Sequence, residues 1–278
     1  MLLFYSLNMG ANIKIIVFFI LLLFSNIAFT TDNISITNKD NEFISNVNDS
    51  RVYFNKALSL AKAGDSNAAI VCLNSAIRLD PKYVDAYIAR ASILEKKGNL
   101  PSAIVDYTLA LNLRPSYKIY YDRGVAELAL KEFANAARDF TSAIELNPQF
   151  ARGYSDRGLA FLANNMLDEA KNDFIQAFSL NDKILFALEK TGEINLKQGH
   201  FTEALKNFNQ LIQINPNDTK AYFNRGKVYE ALKMPEQALQ DYNASINLNN
   251  DNNITNDPNK INQPSENQLD PQIKSNSI

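Results

Sequence analysis

One alanine fixes the architecture of this chain by recurring. Ala69, Ala103, Ala136, Ala170, Ala204 and Ala238 are spaced at intervals of 34, 33, 34, 34 and 34 residues. Twelve residues before each stands a second small residue: Ala57, Ala91, Gly124, Gly158, Gly192 and Gly226. Four residues after each alanine comes a large side chain: Leu73, Tyr107, Phe140, Phe174, Phe208 and Tyr242. Four before each second small residue comes another: Tyr53, Tyr87, Tyr120, Tyr154, Leu188 and Tyr222. A fixed period of this length means an array of equal units, each burying its apolar face on the next.

Inside a unit the apolar spacings are three, four and seven, which is helical periodicity. Each unit holds two such stretches, parted by a short turn such as Lys97-Gly98-Asn99 or Gln198-Gly199-His200. Pro81, Pro115, Pro148 and Pro216 end four of the units, because proline supplies no backbone N–H and clashes with the preceding turn. Each unit is therefore an antiparallel helix pair. The boundaries fall at about 50–83, 84–116, 117–150, 151–184, 185–218 and 219–251. The small residues are where two helices approach closely, and the large ones fill the groove beside them.

The pattern resembles the tetratricopeptide repeat family, over roughly 200 of the 278 residues. The resemblance implies an all-α fold, a right-handed superhelical α-solenoid of six antiparallel helix pairs. It also implies that the first helix of each pair lines a concave groove that holds a peptide or a helix. Carried over position by position, the groove residues are Asp85, Ile88 and Ser92 in repeat two. They are Lys118, Tyr121 and Val125 in repeat three, and Arg152, Ser155 and Leu159 in repeat four. Arg51, Lys118, Arg152 and Lys220 make the start of the first helix basic in four repeats, which hints at an acidic or C-terminal ligand. Some family members grip a terminal carboxylate with Lys-x-x-x-Asn in their first repeat. Phe54 and Leu58 stand there in this chain, which argues against cytosolic heat-shock chaperone tails as ligands.

Two slots vary together. Just before the small residue stand Lys56, Arg90, Arg123, Arg157, Thr191 and Arg225. Just before the large residue of the second helix stand Cys72, Asp106, Asp139, Asp173, Asn207 and Asp241. Arginine and aspartate are present together or absent together. In an antiparallel hairpin the two slots lie at the same height. The spacing predicts ion pairs Arg90–Asp106, Arg123–Asp139, Arg157–Asp173 and Arg225–Asp241. The competing reading is that Arg123 and Arg157 bind an acidic ligand. Repeat four ends at Asp182 rather than proline, and repeat five has Leu188 for tyrosine, so the fifth unit is expected to make the loosest join.

The flanks differ in kind. Ile15 to Phe24 is an unbroken apolar run of ten residues, with Lys14 before it and Ala28 after. That is too short to span a bilayer, which needs roughly 20 residues. It reads as a signal peptide over 1–30, with Met9 as an alternative start, or else as an N-terminal anchor using residues 15–29. Residues 31–49 form a polar linker. Residues 252–278, Asn-rich and interrupted by Pro258, Pro264 and Pro271, read as a disordered tail. No capping helix is evident after the sixth repeat, so the outer face near Leu239 and Ile246 is a candidate surface for a homodimer.

No catalytic constellation emerges. A phosphate loop, a nucleophile elbow and a His–Glu metal helix are all missing from the sequence, and no cofactor or metal is expected. The single Cys72 cannot form an internal disulfide, and the single His200 falls in a turn. A formal net charge of −2 offers no basis for nucleic-acid binding. The expectation is a non-enzymatic protein-interaction scaffold, exported to the periplasm, the cell envelope or beyond. The alternative is a membrane-anchored assembly factor or self-associating envelope protein that uses the same repeats.

Overall fold

The structure is a computed structural model and describes residues 49–255. The leader or anchor of residues 1–30, nearly all of the linker, and the tail from residue 256 lie outside the described residues. Among the described residues, twelve α-helices follow one another in six pairs. They are α1 (Ser50–Lys62) with α2 (Ser66–Leu79), α3 (Val84–Lys96) with α4 (Leu100–Leu113), and α5 (Tyr117–Ala129) with α6 (Phe133–Leu146). Then come α7 (Ala151–Ala163) with α8 (Leu167–Leu180), α9 (Leu185–Lys197) with α10 (Phe201–Ile214), and α11 (Thr219–Ala231) with α12 (Pro235–Thr255). Each helix packs on the one before and the one after, giving an all-α solenoid. Beyond immediate neighbours, the strongest contacts join first helices of successive pairs: α1 with α3, α5 with α7, and α9 with α11. The first helices are therefore on the inside of the curve and the second helices on the outside.

The core is a string of five small clusters, most of them spanning two successive pairs, built from the recurring residues. Phe140, Phe174 and Phe208 are fully buried, each against the small residue of its partner helix. A Cβ added at Gly158 would lie 2.9 Å from the Phe174 ring, and one at Gly226 would lie 2.7 Å from the Tyr242 ring. Glycine there lets the aromatic ring sit directly on backbone. Burying one such ring stabilises by roughly 1.5–3 kcal/mol.

Helix ends follow local chemistry. Asp49, Asp65, Asn99 and Asp218 cap α1, α2, α4 and α11 by accepting hydrogen bonds from first-turn amides. The turn inside every pair needs one residue in the left-handed region. Gly64, Gly98 and Gly199 supply it in repeats one, two and five, but Lys131, Asn165 and Lys233 supply it in the others, at φ 63°, 60° and 59°. One boundary differs from the compositional reading: residues 252–255, assigned to the tail, continue α12 as helix. Residues 251–255 contain no proline or glycine to stop the helix.

Candidate functional site

Four arginines tie the solenoid together on the face of the first helices that meets the second. Arg123 Nε and Nη2 donate to Asp139 Oδ2 and Oδ1 at 2.6 and 2.8 Å. Arg157 makes the same fork with Asp173, both bonds 2.8 Å. Arg90 with Asp106 and Arg225 with Asp241 repeat it at 2.6–2.7 Å. The aspartate side chains are only 4–8% exposed and the arginines 18–20%. The remaining nitrogen reaches back across the joint. Nη1 of Arg90, Arg123, Arg157 and Arg225 donates to Asn74, Thr108, Thr141 and Asn209, each on the second helix of the preceding pair. Each guanidinium also lies 5.5–5.9 Å from the ring of Tyr87, Tyr120, Tyr154 or Tyr222 one turn earlier. One arginine thus joins three helices of two repeats, with each of its three nitrogens donating to its own chain.

The groove candidates do not all come to the surface. Asp85 is exposed and pairs with Arg114 at 2.6 Å. Ile88, Ser92, Val125 and Leu159 are half-buried. Lys118 and Arg152 are exposed, the latter 74% so, and stand over the rings of Tyr117 and Tyr121. Ser155 is 5% exposed and is not an accessible groove contact. It occupies the position where Ile88 and Tyr121 stand in their repeats, and a serine is too short to emerge there.

The structure brings Tyr121, Arg152 and a residue the sequence reading passed over into one cluster across repeats three and four. Tyr121 donates its hydroxyl to Asp156 Oδ2 at 2.6 Å, and Arg152 Nε is 4.0 Å from the same oxygen. Burial, with the hydrogen bond to Asp156 next, pushes the Tyr121 phenol well above its ordinary range. A second acidic site lies one repeat back. Tyr107 donates to Glu95 Oε2 at 3.0 Å, and burial, then the Glu95 charge, raises the Asp122 carboxyl to about 6 against the pull of Lys118. Asp122 and Asp156 sit at the same repeat position, each just before a clamping arginine, and that 34-residue spacing was the signal available in the sequence.

Further along, the inner surface changes character. Phe186 is 39% exposed with Lys190 Nζ 5.3 Å from its ring, and Phe223 is 45% exposed with Lys227 Nζ at 4.5 Å. Cys72 is buried, and His200 is an exposed residue at the start of α10. Among the described residues no group of three or more His, Cys, Asp or Glu is placed to hold a metal ion, and no helix is long and apolar enough to cross a membrane.

Comparison with known proteins agrees with this architecture. A family profile described as TPR repeat matches residues 57–98 and 192–233. Profiles described as tetratricopeptide repeat match 84–117, 121–178 and 219–252. The chain belongs to the tetratricopeptide repeat family, whose fold is in general a non-catalytic scaffold for protein–protein interaction. Among solved structures, YrrB, described as a TPR protein with an unusual peptide-binding site, is 21% identical with a TM-score of 0.58, covering 65% of this chain and 94% of its own. A tetratricopeptide repeat protein from Parabacteroides merdae is 23% identical with a TM-score of 0.59, covering 69% of this chain and 77% of its own. MamA from Desulfovibrio magneticus is 19% identical with a TM-score of 0.57, covering 61% of this chain and 96% of its own. At such identities the likeness is one of fold. No curated protein matches the chain at a significant level.

Proposed function

We propose that this protein is an exported, non-catalytic scaffold that holds a peptide or a helix of another protein along its first helices. The observation that carries the reading is the inner surface itself. Phe186 and Phe223 are 39% and 45% exposed on inner helices, flanked by Lys190 and Lys227, and each rests one side of its ring on a repeat aromatic, Phe174 and Tyr242 respectively. Large exposed aromatics beside cations are what a recognition surface offers. Lys118 and Arg152 add a basic rim, and Asp122 with Glu95 adds carboxylates between repeats two and three. A bound segment carrying both signs of charge fits that sequence of groups. Export rests on the apolar run of residues 15–24 with Lys14 before it.

A photo-crosslinking amino acid placed at Lys118 or Phe186, and separately at Asn172 on the outer helix α8, tests the location. The proposal expects partner adducts from the two groove positions and none from Asn172; adducts from Asn172 alone would overturn it. The mass of the mature N-terminus separates a cleaved leader from an anchor that retains residues 15–29.

A second reading has its own observation. Leu239 and Ile246 on α12 are 60% and 57% exposed, while Leu111 and Ile144, which hold the same repeat position as Ile246, are buried. Self-association through this end would cover them. Light scattering on the full chain and on its Leu239→Glu/Ile246→Glu variant tests it: a mass that halves in the variant supports the dimer, and a monomer in both removes it.

A further inference from the structure

The arginine clamp occurs at four of the five joints between repeats. It joins repeats one and two, two and three, three and four, and five and six. At the joint between repeats four and five all its parts are replaced at once. Leu188 stands for the stacked tyrosine, Thr191 for the arginine, Asn207 for the aspartate, and Ile175 for the acceptor on the preceding second helix. Thr191 turns its hydroxyl to its own helix, donating to the Ala187 carbonyl at 2.8 Å. Asn207 accepts from Asn195 Nδ2 at 3.0 Å, a bond within the same pair. No member of this set bonds across the joint. A cleft of ≈ 340 Å³ beside the joint is lined by Ile175, Phe178, Leu188, Thr191, Asn195 and Asn207; a cleft of ≈ 310 Å³ lies beside the clamped Arg90 as well, so the difference between the joints is in their bonds and not in open space.

The joint is still packed. Ala187 and Ile194 of α9 share a buried cluster with Phe174 and Ala177 of α8. Its crossing polar bonds are confined to the turn end of the pair. Lys171 Nζ donates to Gln198 Oε1 at 2.7 Å, Gln198 Nε2 to Asp168 at 2.8 Å, and Lys197 Nζ to Asn165 at 3.2 Å. The connection between α8 and α9 carries Asp182 where four other units have proline. Apolar contact is non-directional and permits one helix to roll on another, whereas a forked, charge-assisted bond fixes both distance and angle. A joint pinned by polar side chains at one end and held by apolar contact elsewhere has the construction of a hinge.

We infer that the joint between repeats four and five is the compliant joint of this solenoid, where the front and rear halves of the inner surface change their setting relative to each other. The front half carries Tyr121, Arg152 and Asp156; the rear half carries Phe186 and Phe223. Movement at the joint alters the spacing between these two sets and so the length and curvature of ligand that both can hold. The inference stands on the joint's construction and holds whether or not the groove binds a peptide.

The test uses the full chain with Cys72→Ser, so that only introduced cysteines take spin labels. One pair, Val105→Cys with Asn172→Cys, spans two clamped joints; the other, Asn172→Cys with Gln240→Cys, spans one clamped joint and the clampless one. Pulsed dipolar spectroscopy is expected to give a distance distribution about twice as broad for the second pair. Installing the clamp with Ile175→Thr/Thr191→Arg/Asn207→Asp narrows it to match the first pair. Equal widths in the parent protein overturn the inference, as does an unchanged width in a fully helical triple variant. Should the triple variant fail to fold, amide exchange on the parent decides: faster exchange in α9 than in α5 and α7 supports the hinge, and equal protection contradicts it.

Discussion

In repeat three the space between the two helices and the preceding unit is filled with charge, whereas in repeat five the same space holds neutral groups. Arg123, Asp139 and Glu127 occupy it in the one; Thr191, Asn207 and Asn195 occupy it in the other, position for position. The frame is common to both, since Phe140 and Phe208 are equally buried and Gly124 and Gly192 lie equally close to them. The apolar repeat builds each helix pair, and the polar set decides how stiffly one pair is joined to the next. A polar set can be lost as a unit without losing the pair, but not in part, because a lone guanidinium or carboxylate would be left buried.

The largest effect is expected at Asp139. Asp139→Ala leaves Arg123, 19% exposed, without its fork and is expected to cost about 3 kcal/mol. Asn207→Ala in repeat five removes a neutral hydrogen bond and should cost about 1 kcal/mol. Urea midpoints of the two variants, corrected for any change in slope, check the ratio.

Glu127 sharpens the contrast with a pH dependence. It is 7% exposed, its Oε2 has no hydrogen-bond partner among the described residues, and burial, then the Asp139 charge, lifts its carboxyl to about 7 from 4.5 against the pull of Arg123. The folded state therefore holds this proton more tightly than the unfolded chain. Its contribution is neutral below about pH 4.5, and stability falls as pH rises from there through 7. Glu127→Gln should be worth about 3 kcal/mol at pH 8 and almost nothing at pH 4.5. The corresponding Asn195 already carries an amide, so Asn195→Gln should show no pH-dependent gain. Denaturation at the two pH values reads both.

Smaller effects are expected at the turns. Lys131 holds the left-handed position that Gly199 holds in repeat five. Lys131→Gly should raise stability by about 1 kcal/mol, and Gly199→Ala should lower it by a similar amount. Thermal unfolding of the pair checks the opposite signs.

The architecture was legible because it rests on a short-range code written six times: small residues opposite large ones, and prolines at the ends. The Arg–Asp pairs were legible too, since two slots that change together across copies reveal a contact inside the unit. The third partner of each arginine was not. Asn74, Thr108, Thr141 and Asn209 belong to the preceding unit and differ in type, sharing only an oxygen in reach, so no single residue pattern marks them. The groove was half legible. Position in the repeat says which way a side chain points, but not whether it is long enough to arrive, which is why Tyr121 emerges and Ser155 does not. The left-handed turns of Lys131, Asn165 and Lys233 are marked only by repeat register, since they align with Gly64, Gly98 and Gly199; of the three residues only asparagine favours that conformation by itself.

Paired double-mutant cycles test the division of labour most directly. One combines Arg123→Ala with Asp139→Ala, and the other Thr191→Ala with Asn207→Ala. The account predicts a coupling of about 2 kcal/mol in repeat three and less than about 0.5 kcal/mol in repeat five. Additive losses in repeat three would mean that the arginine and aspartate do not hold the joint together.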